Sequence, residues 1–125
     1  MIVAIGTDAV EIERIRGLYE RSGERFVQRV FTPDEAAYCR TRHHPAESFA
    51  ARFAAKEAVM KCLGTGWADG TAFREIEVRR IPSGDTELAL AGVAAARAAA
   101  RGIRRWHVSL THTAITATAF VIAEA

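Results

Sequence analysis

The sequence predicts an α+β domain, and three observations carry that prediction. Phe49 to Leu63 runs without glycine or proline through residues that favour helix. Trp106 to Thr111 alternates strictly between apolar and polar side chains, the period of a strand. The strand-like stretches gather at the two ends and around one central hairpin, with helical stretches between. At 125 residues, half of them apolar and 26% charged, the chain has the size and composition of a soluble globular protein, and residues 1–125 read as a single domain.

Taken in order, Ile2 to Ile5 reads as a short buried strand that Gly6-Thr7-Asp8 ends, so Asp8 sits where the chain leaves a sheet. Helix follows from about Glu11 to Tyr19, breaks at Ser22-Gly23 and resumes through Phe26, Val27 and Val30. Thr32-Pro33-Asp34-Glu35 is a helix start: Thr32 can cap, Pro33 suits the first helical position and Glu35 completes a capping box. That helix runs to about Arg42 and stops before His43-His44-Pro45, a polar loop. In the central helix, Phe49, Phe53, Met60 and Leu63 share one arc and alanine fills most of the rest, which is the pattern of a buried helix. Gly64 is its C-cap. Gly64-Thr65-Gly66 looks like a phosphate loop but follows a helix, whereas phosphate loops precede one. Phe73 to Ile81 alternates, with Ile76 and Val78 inward and Glu75, Glu77 and Arg79 outward. Pro82-Ser83-Gly84-Asp85 turns, and Thr86 to Leu90 pairs back. An alanine-rich helix over Ala89 to Ala100 ends at Gly102. The last two strands follow, turning at His112-Thr113-Ala114 and returning over Ile115 to Ile122, with His107, Ser109 and Thr111 on one face of the first.

The central helix also carries Arg52, Lys56, Glu57 and Lys61, and unpaired charges on a buried helix are costly. Glu57 and Lys61 are four apart and can pair on the surface. One carboxylate among three cations also suits a metal with a phosphate-rich ligand. The net charge of +2 gives little reason to expect nucleic acid. Charge is uneven, however: Arg14, Arg16, Arg21, Arg25 and Arg29 outnumber Glu20 and Glu24, a face fitted to an acidic partner. Cys39 and Cys62 lack metal or redox spacing and read as free thiols of a reducing, cytoplasmic protein. No apolar run approaches the roughly 20 residues of a membrane span.

Three stretches converge on chemistry: Ile5-Gly6-Thr7-Asp8-Ala9-Val10-Glu11, Arg52-Phe53-Ala54-Ala55-Lys56-Glu57-Ala58 with Lys61, and Val108-Ser109-Leu110-Thr111-His112-Thr113. In this order and over essentially the whole chain they resemble the holo-acyl-carrier-protein synthase family of 4′-phosphopantetheinyl transferases. The resemblance implies that family's fold, a small antiparallel sheet against a long buried helix. It implies Mg²⁺-dependent transfer of the phosphopantetheine arm of coenzyme A to a serine of an apo acyl carrier protein, releasing adenosine 3′,5′-bisphosphate. It implies Asp8 and Glu57 as metal ligands, which agrees with the habit of Mg²⁺ to take one or two carboxylates plus phosphate and water. Glu57 and Lys61 are then the catalytic pair, with Lys61 facing the phosphates. Arg52, Lys61, Gly64, Ser109, Thr111 and His112 are implied to hold coenzyme A, with Arg52 and Lys56 equally open to internal pairing, for example with Glu11. Arg14, Arg21 and Arg25 would dock the carrier. The resemblance further implies a homotrimer with active sites between subunits, and no nucleic acid or membrane partner. Glu57, a water activated by the metal, or a carboxylate of the carrier each offers a general base.

The chain departs from the family pattern at Gly84-Asp85-Thr86, where threonine replaces a common hairpin proline, and at Thr111, where several members have serine. Two other classes use the same cations: a non-catalytic nucleotide-binding module and a metal-dependent phosphohydrolase. The pairing of Asp8 with Glu57 favours metal chemistry over plain anion binding. A need for a protein acceptor separates transfer from hydrolysis.

Overall fold

A computed structural model describes residues 1–64 and 70–125. Its elements run β1 (Ile2–Glu11), α1 (Ile12–Ser22), α2 (Glu24–Val30), α3 (Pro33–Arg40), α4 (Pro45–Leu63), a 3₁₀ turn (Phe73–Glu75), β2 (Ile76–Arg80), β3 (Thr86–Leu90), α5 (Gly92–Ala100), β4 (Arg105–His112) and β5 (Thr116–Glu124). The expected α+β architecture is present. Three antiparallel strands form a sheet in the order β1-β5-β4, and β2 and β3 form a separate hairpin. Helix α4 lies against the inner face of the sheet, where Ala117, Ala119, Val121 and Ala123 of β5 are fully buried. Small residues there let the helix approach closely.

The core is built on α4. Phe49, Phe53, Met60 and Leu63 are all buried, and burial of each such side chain contributes about 1.5–3 kcal/mol. Phe49 packs against Phe31 and Tyr19, and Phe53 stacks on Phe73. On the far side Ile76 and Val78 of the hairpin close the core, with the inward and outward alternation the sequence predicts. Pro45 occupies the first turn of α4, so the helix begins earlier than the loop reading of His43-His44-Pro45. Gly64 ends it in the left-handed conformation, φ 67°. The phosphate-loop-like Thr65-Gly66 lies outside the described residues. Among the described residues no helix is long and apolar enough to cross a membrane.

Three local expectations are corrected. Gly6 does not end β1, which continues to Glu11. A Cβ at Gly6 would lie 2.1 Å from the carbonyl oxygen of Ala58, so glycine serves close strand–helix approach rather than a turn. Asp8 is therefore inside a strand. Glu75 is not a strand residue facing water: it sits in the 3₁₀ turn, and its carboxylate accepts hydrogen bonds from the Val93 and Ala94 amides, capping α5. Accordingly α5 begins at Gly92, while Ala89 and Leu90 belong to β3. The hairpin closes without the proline: Ile81 N donates to Asp85 O at 2.9 Å, and Thr86 pairs with Arg80.

Candidate active site

Asp8 reaches the site because β1 alternates. Gly6, Asp8 and Val10 face α4, while Ile5, Thr7 and Ala9 face away. The close approach at Gly6 brings Asp8 under the last turns of α4. There Lys61 Nζ donates to Asp8 Oδ1 at 3.2 Å and to the Thr7 carbonyl at 2.8 Å. Lys61 thus turns to β1, and the salt bridge to Glu57 that the i,i+4 spacing offered is not among the ion pairs of the described residues. Glu57 is half-buried beside them. Burial, and then the neighbouring Asp8 carboxylate, hold its carboxyl above the usual range, while Lys61 and Arg14 pull it down. Two neighbouring carboxylates of like charge, only one of them bonded to a lysine, form a site that favours a further cation.

The residues fit Mg²⁺. The donors are two hard carboxylate oxygens, one from a strand and one from a helix. Among the described residues no third His, Cys, Asp or Glu joins them, which suits an ion that completes its shell with water and substrate phosphate rather than an all-protein cage.

The other candidate residues lie elsewhere in the chain. Arg52 and His112 share a cleft with Tyr38, Arg42, His43, His44, Ser48 and Arg80, a cavity of about 440 Å³. His112 belongs to β4 rather than to the turn, on the face toward α4. Ser109 and Thr111 are on the opposite, outer face, across from Phe120 and Thr118. Asp8 and Leu110 both flank Ala119, so the carboxylate site and this cleft sit on opposite edges of the sheet, the backbones of Asp8 and Leu110 lying about 10 Å apart across two strand spacings. Gly64 lies at the end of α4 next to Arg101, whose guanidinium donates to the Cys62 carbonyl. Arg14 and Arg25 rim an apolar groove of about 280 Å³ lined by Leu18, Phe26, Val30, Phe53 and Phe73. Arg21 is exposed and outside the groove.

Lys56 is structural. It is fully buried, and its ammonium donates to Glu35 Oε1 at 2.7 Å, to Phe73 O at 3.0 Å and to Ile76 O at 2.5 Å. Glu35 in turn accepts from the amides of Thr32 and Val78. Sequence reasoning placed Glu35 in the capping box, which is present, and missed its other two partners, Lys56 and the Val78 amide. It also missed Tyr38, Arg42, Arg80 and Arg101. Arg80 shares the face of Ile76 and Val78 but stands exposed at the end of β2, where a charged residue reads as solvated, and nothing in the spacing marks the others.

A family model for the 4′-phosphopantetheinyl transferase superfamily matches residues 4–120. A holo-[acyl-carrier-protein] synthase of Methylobacterium sp. (strain 4-46) is 54% identical over 100% of this chain and 96% of its own length. One from Solibacter usitatus (strain Ellin6076) is 44% identical over 99% of each. The crystal structure of the Neisseria meningitidis holo-[acyl-carrier-protein] synthase superposes with a TM-score of 0.88 at 36% identity, covering 100% of both chains. That of Helicobacter pylori, in complex with coenzyme A, gives 0.84 at 28% identity over 97% of this chain and 100% of that one.

Proposed function

The chain belongs to the 4′-phosphopantetheinyl transferase superfamily and moves the phosphopantetheine arm of coenzyme A to a serine of an apo acyl carrier protein; from that premise we propose how its own residues do so. The serine oxygen attacks the pyrophosphate phosphorus that bears the pantetheine. The bridging P–O bond breaks, the serine proton is lost and adenosine 3′,5′-bisphosphate leaves. The observation that carries the residue assignment is the meeting of Asp8, Glu57 and Lys61 at the β1–α4 contact.

Asp8 and Glu57 would hold Mg²⁺, which when bound neutralises the pyrophosphate charge. Lys61 stands over Asp8 with its side chain 56% exposed and one N–H unspent, a donor for phosphate oxygen as charge gathers in the transition state. Arg52 and His112 would receive the phosphate of the adenosine end. Ser109, Thr111 and Gly64 would line the remaining coenzyme A path. Arg14 and Arg25 at the apolar groove, with Arg21 exposed outside it on the same helix as Arg14, would meet the carrier, whose acidic charge they complement. Reversing Arg14 and Arg21 should slow carrier association and flatten its salt dependence; unchanged association kinetics would move docking elsewhere.

Within one chain the carboxylates and the Arg52 cleft lie on opposite sheet edges, and the reading is that the cleft of one subunit serves the carboxylates of its neighbour. The outer face of the sheet supports assembly: Ile5, Phe120 and Ile122 are 68%, 53% and 37% exposed in adjacent rows. Contiguous exposed apolar area of this kind marks an interaction surface. We assign it to a homotrimer, and a monomer with full activity by light scattering and assay would overturn this. The domain spans 1–125 and works in the cytoplasm, in keeping with its two free thiols; burial pushes Cys39 up to about 11.

The test of the whole reading is to incubate the protein with coenzyme A, Mg²⁺ and an apo carrier protein and weigh the carrier. A gain of one phosphopantetheine group is expected. Consumption of coenzyme A with an unmodified carrier would make the protein a hydrolase.

A further inference from the structure

Arg52 is 4% exposed, and its Nε has no hydrogen-bond partner among the described residues. Nor is it in any ion pair there: Glu35, the nearest buried carboxylate lining that side, is taken up by Lys56 and by two amides. A buried guanidinium without a carboxylate is costly unless a ligand completes it. Arg52 instead lies over the ring of Tyr38, 4.5 Å from its centroid. Two more guanidiniums meet the same ring, Arg42 at 5.0 Å and Arg80 at 5.7 Å. Neither has an ion pair among the described residues; Arg80 donates only to the Gly84 carbonyl, at 3.1 Å. Glu47 lines the cleft that holds all three and is exposed, while on the other side of Tyr38 a second cavity shared by Arg52 and Arg80 is lined by Asp34, Glu35 and Glu77, the last of which already accepts from Thr32 and Arg79. Three like charges drawn to one tyrosine repel each other, and the negative face of the ring is the group that all three contact and that opposes this repulsion.

We infer that Tyr38 is a positioning residue: its ring gathers Arg42, Arg52 and Arg80 into one guanidinium cluster that receives the phosphate monoester of coenzyme A. This rests on the reading of the Arg52–His112 cleft given above. The three arginines come from three separate places, the loop after α3, helix α4 and the end of β2, and Tyr38 at the end of α3 is the group they share. The hydroxyl has no part in the inference; the ring has.

The test is calorimetric titration with adenosine 3′,5′-bisphosphate, which needs no turnover, together with KM and kcat for transfer. Tyr38→Phe should bind like the wild type. Tyr38→Leu, or Tyr38→Met where Leu does not fold, should weaken the bisphosphate about tenfold and raise KM for coenzyme A similarly, with kcat changed less than about twofold. With 3′-dephospho-coenzyme A the ring-less variant and the wild type should differ little. Equal bisphosphate affinity in a folded ring-less variant would overturn the inference. So would an equal loss with the dephospho substrate, which would make the ring a general packing element. Wild-type protein that binds the bisphosphate but modifies no carrier would overturn the transfer reading and leave the role of Tyr38 to the titration.

Discussion

Lys56 and Lys61 stand five residues apart on the same helix and have opposite fates. Lys56 is fully buried and spends all three N–H donors inside the protein, on Glu35 and two backbone carbonyls. Lys61 spends two, on Thr7 O and Asp8, and keeps the third toward solvent. At about 100° per residue they point roughly 140° apart, one at the hairpin and the other at the edge of the sheet. The difference teaches what makes a charged residue available. A lysine whose donors are all satisfied can only hold the fold, whereas one with spare capacity above a carboxylate can bind a ligand.

The strongest way to break the comparison is at Lys56. Lys56→Met strands Glu35 as a buried, unpaired carboxylate and should cost about 3–5 kcal/mol in chemical denaturation. Lys56→Met with Glu35→Leu should recover much of that, since well-packed apolar pairs replace buried ion pairs at little cost. A Lys56→Met protein as stable as the wild type would erase the distinction. Lys61→Met should do the reverse: stability stays within about 1 kcal/mol, because the contact is exposed, while transfer slows by about 10²–10³. Excess Mg²⁺ should not restore it, yet should partly restore Glu57→Gln, so the Mg²⁺ dependence of rate separates the two roles. Identical Mg²⁺ dependence in wild type and Glu57→Gln would remove Glu57 from the metal site.

Two smaller effects sharpen the contrast. Gly6→Ala forces a methyl into the Ala58 carbonyl, so β1 must retreat from α4. A loss of about 1–3 kcal/mol is expected, with a fall in kcat as Asp8 is carried away from Lys61; unaltered melting and turnover would contradict the close packing. On the Lys56 side, Glu77 accepts from Thr32 and Arg79. Burial alone would raise its carboxyl, but these donors outweigh it and hold it below the ordinary 4.5. A depressed folded value means the contribution is present above pH 4.5 and is lost as pH falls through the folded value. Urea midpoints taken downward from pH 6 should show a loss of about 1 kcal/mol that Glu77→Gln abolishes.

Much of the fold is legible in the residues alone. Helix α4, the capping box at Thr32 and the alternation of β4 follow from period and local chemistry, which act within a few residues. Asp8, Glu57 and Lys61 are legible as a set because their spacing resembles a family pattern. What the sequence could not say is which lysine is spent: that depends on Glu35, Phe73 and Ile76, brought in by tertiary packing. Gly6 misled because glycine permits both a turn and a close approach, and only the position of Ala58 decides. Tyr38 was invisible for the same reason, its three arginines being separated along the chain.

The pairing of β1 with β5 sets a condition on biosynthesis. Asp8 sits opposite Ala119, and among the described residues β5 is the sole strand partner of β1. A ribosome adds roughly 5–20 residues per second, so β1 waits several seconds in the open before its partner emerges. During that time α4 can coil and the β2–β3 hairpin can close from local contacts, but the sheet cannot, because its closure joins the most distant parts of the sequence. The carboxylate site is consequently among the last things the molecule acquires, and a nascent chain halted before Thr116 would hold Glu57 and Lys61 on a formed helix with Asp8 still unplaced.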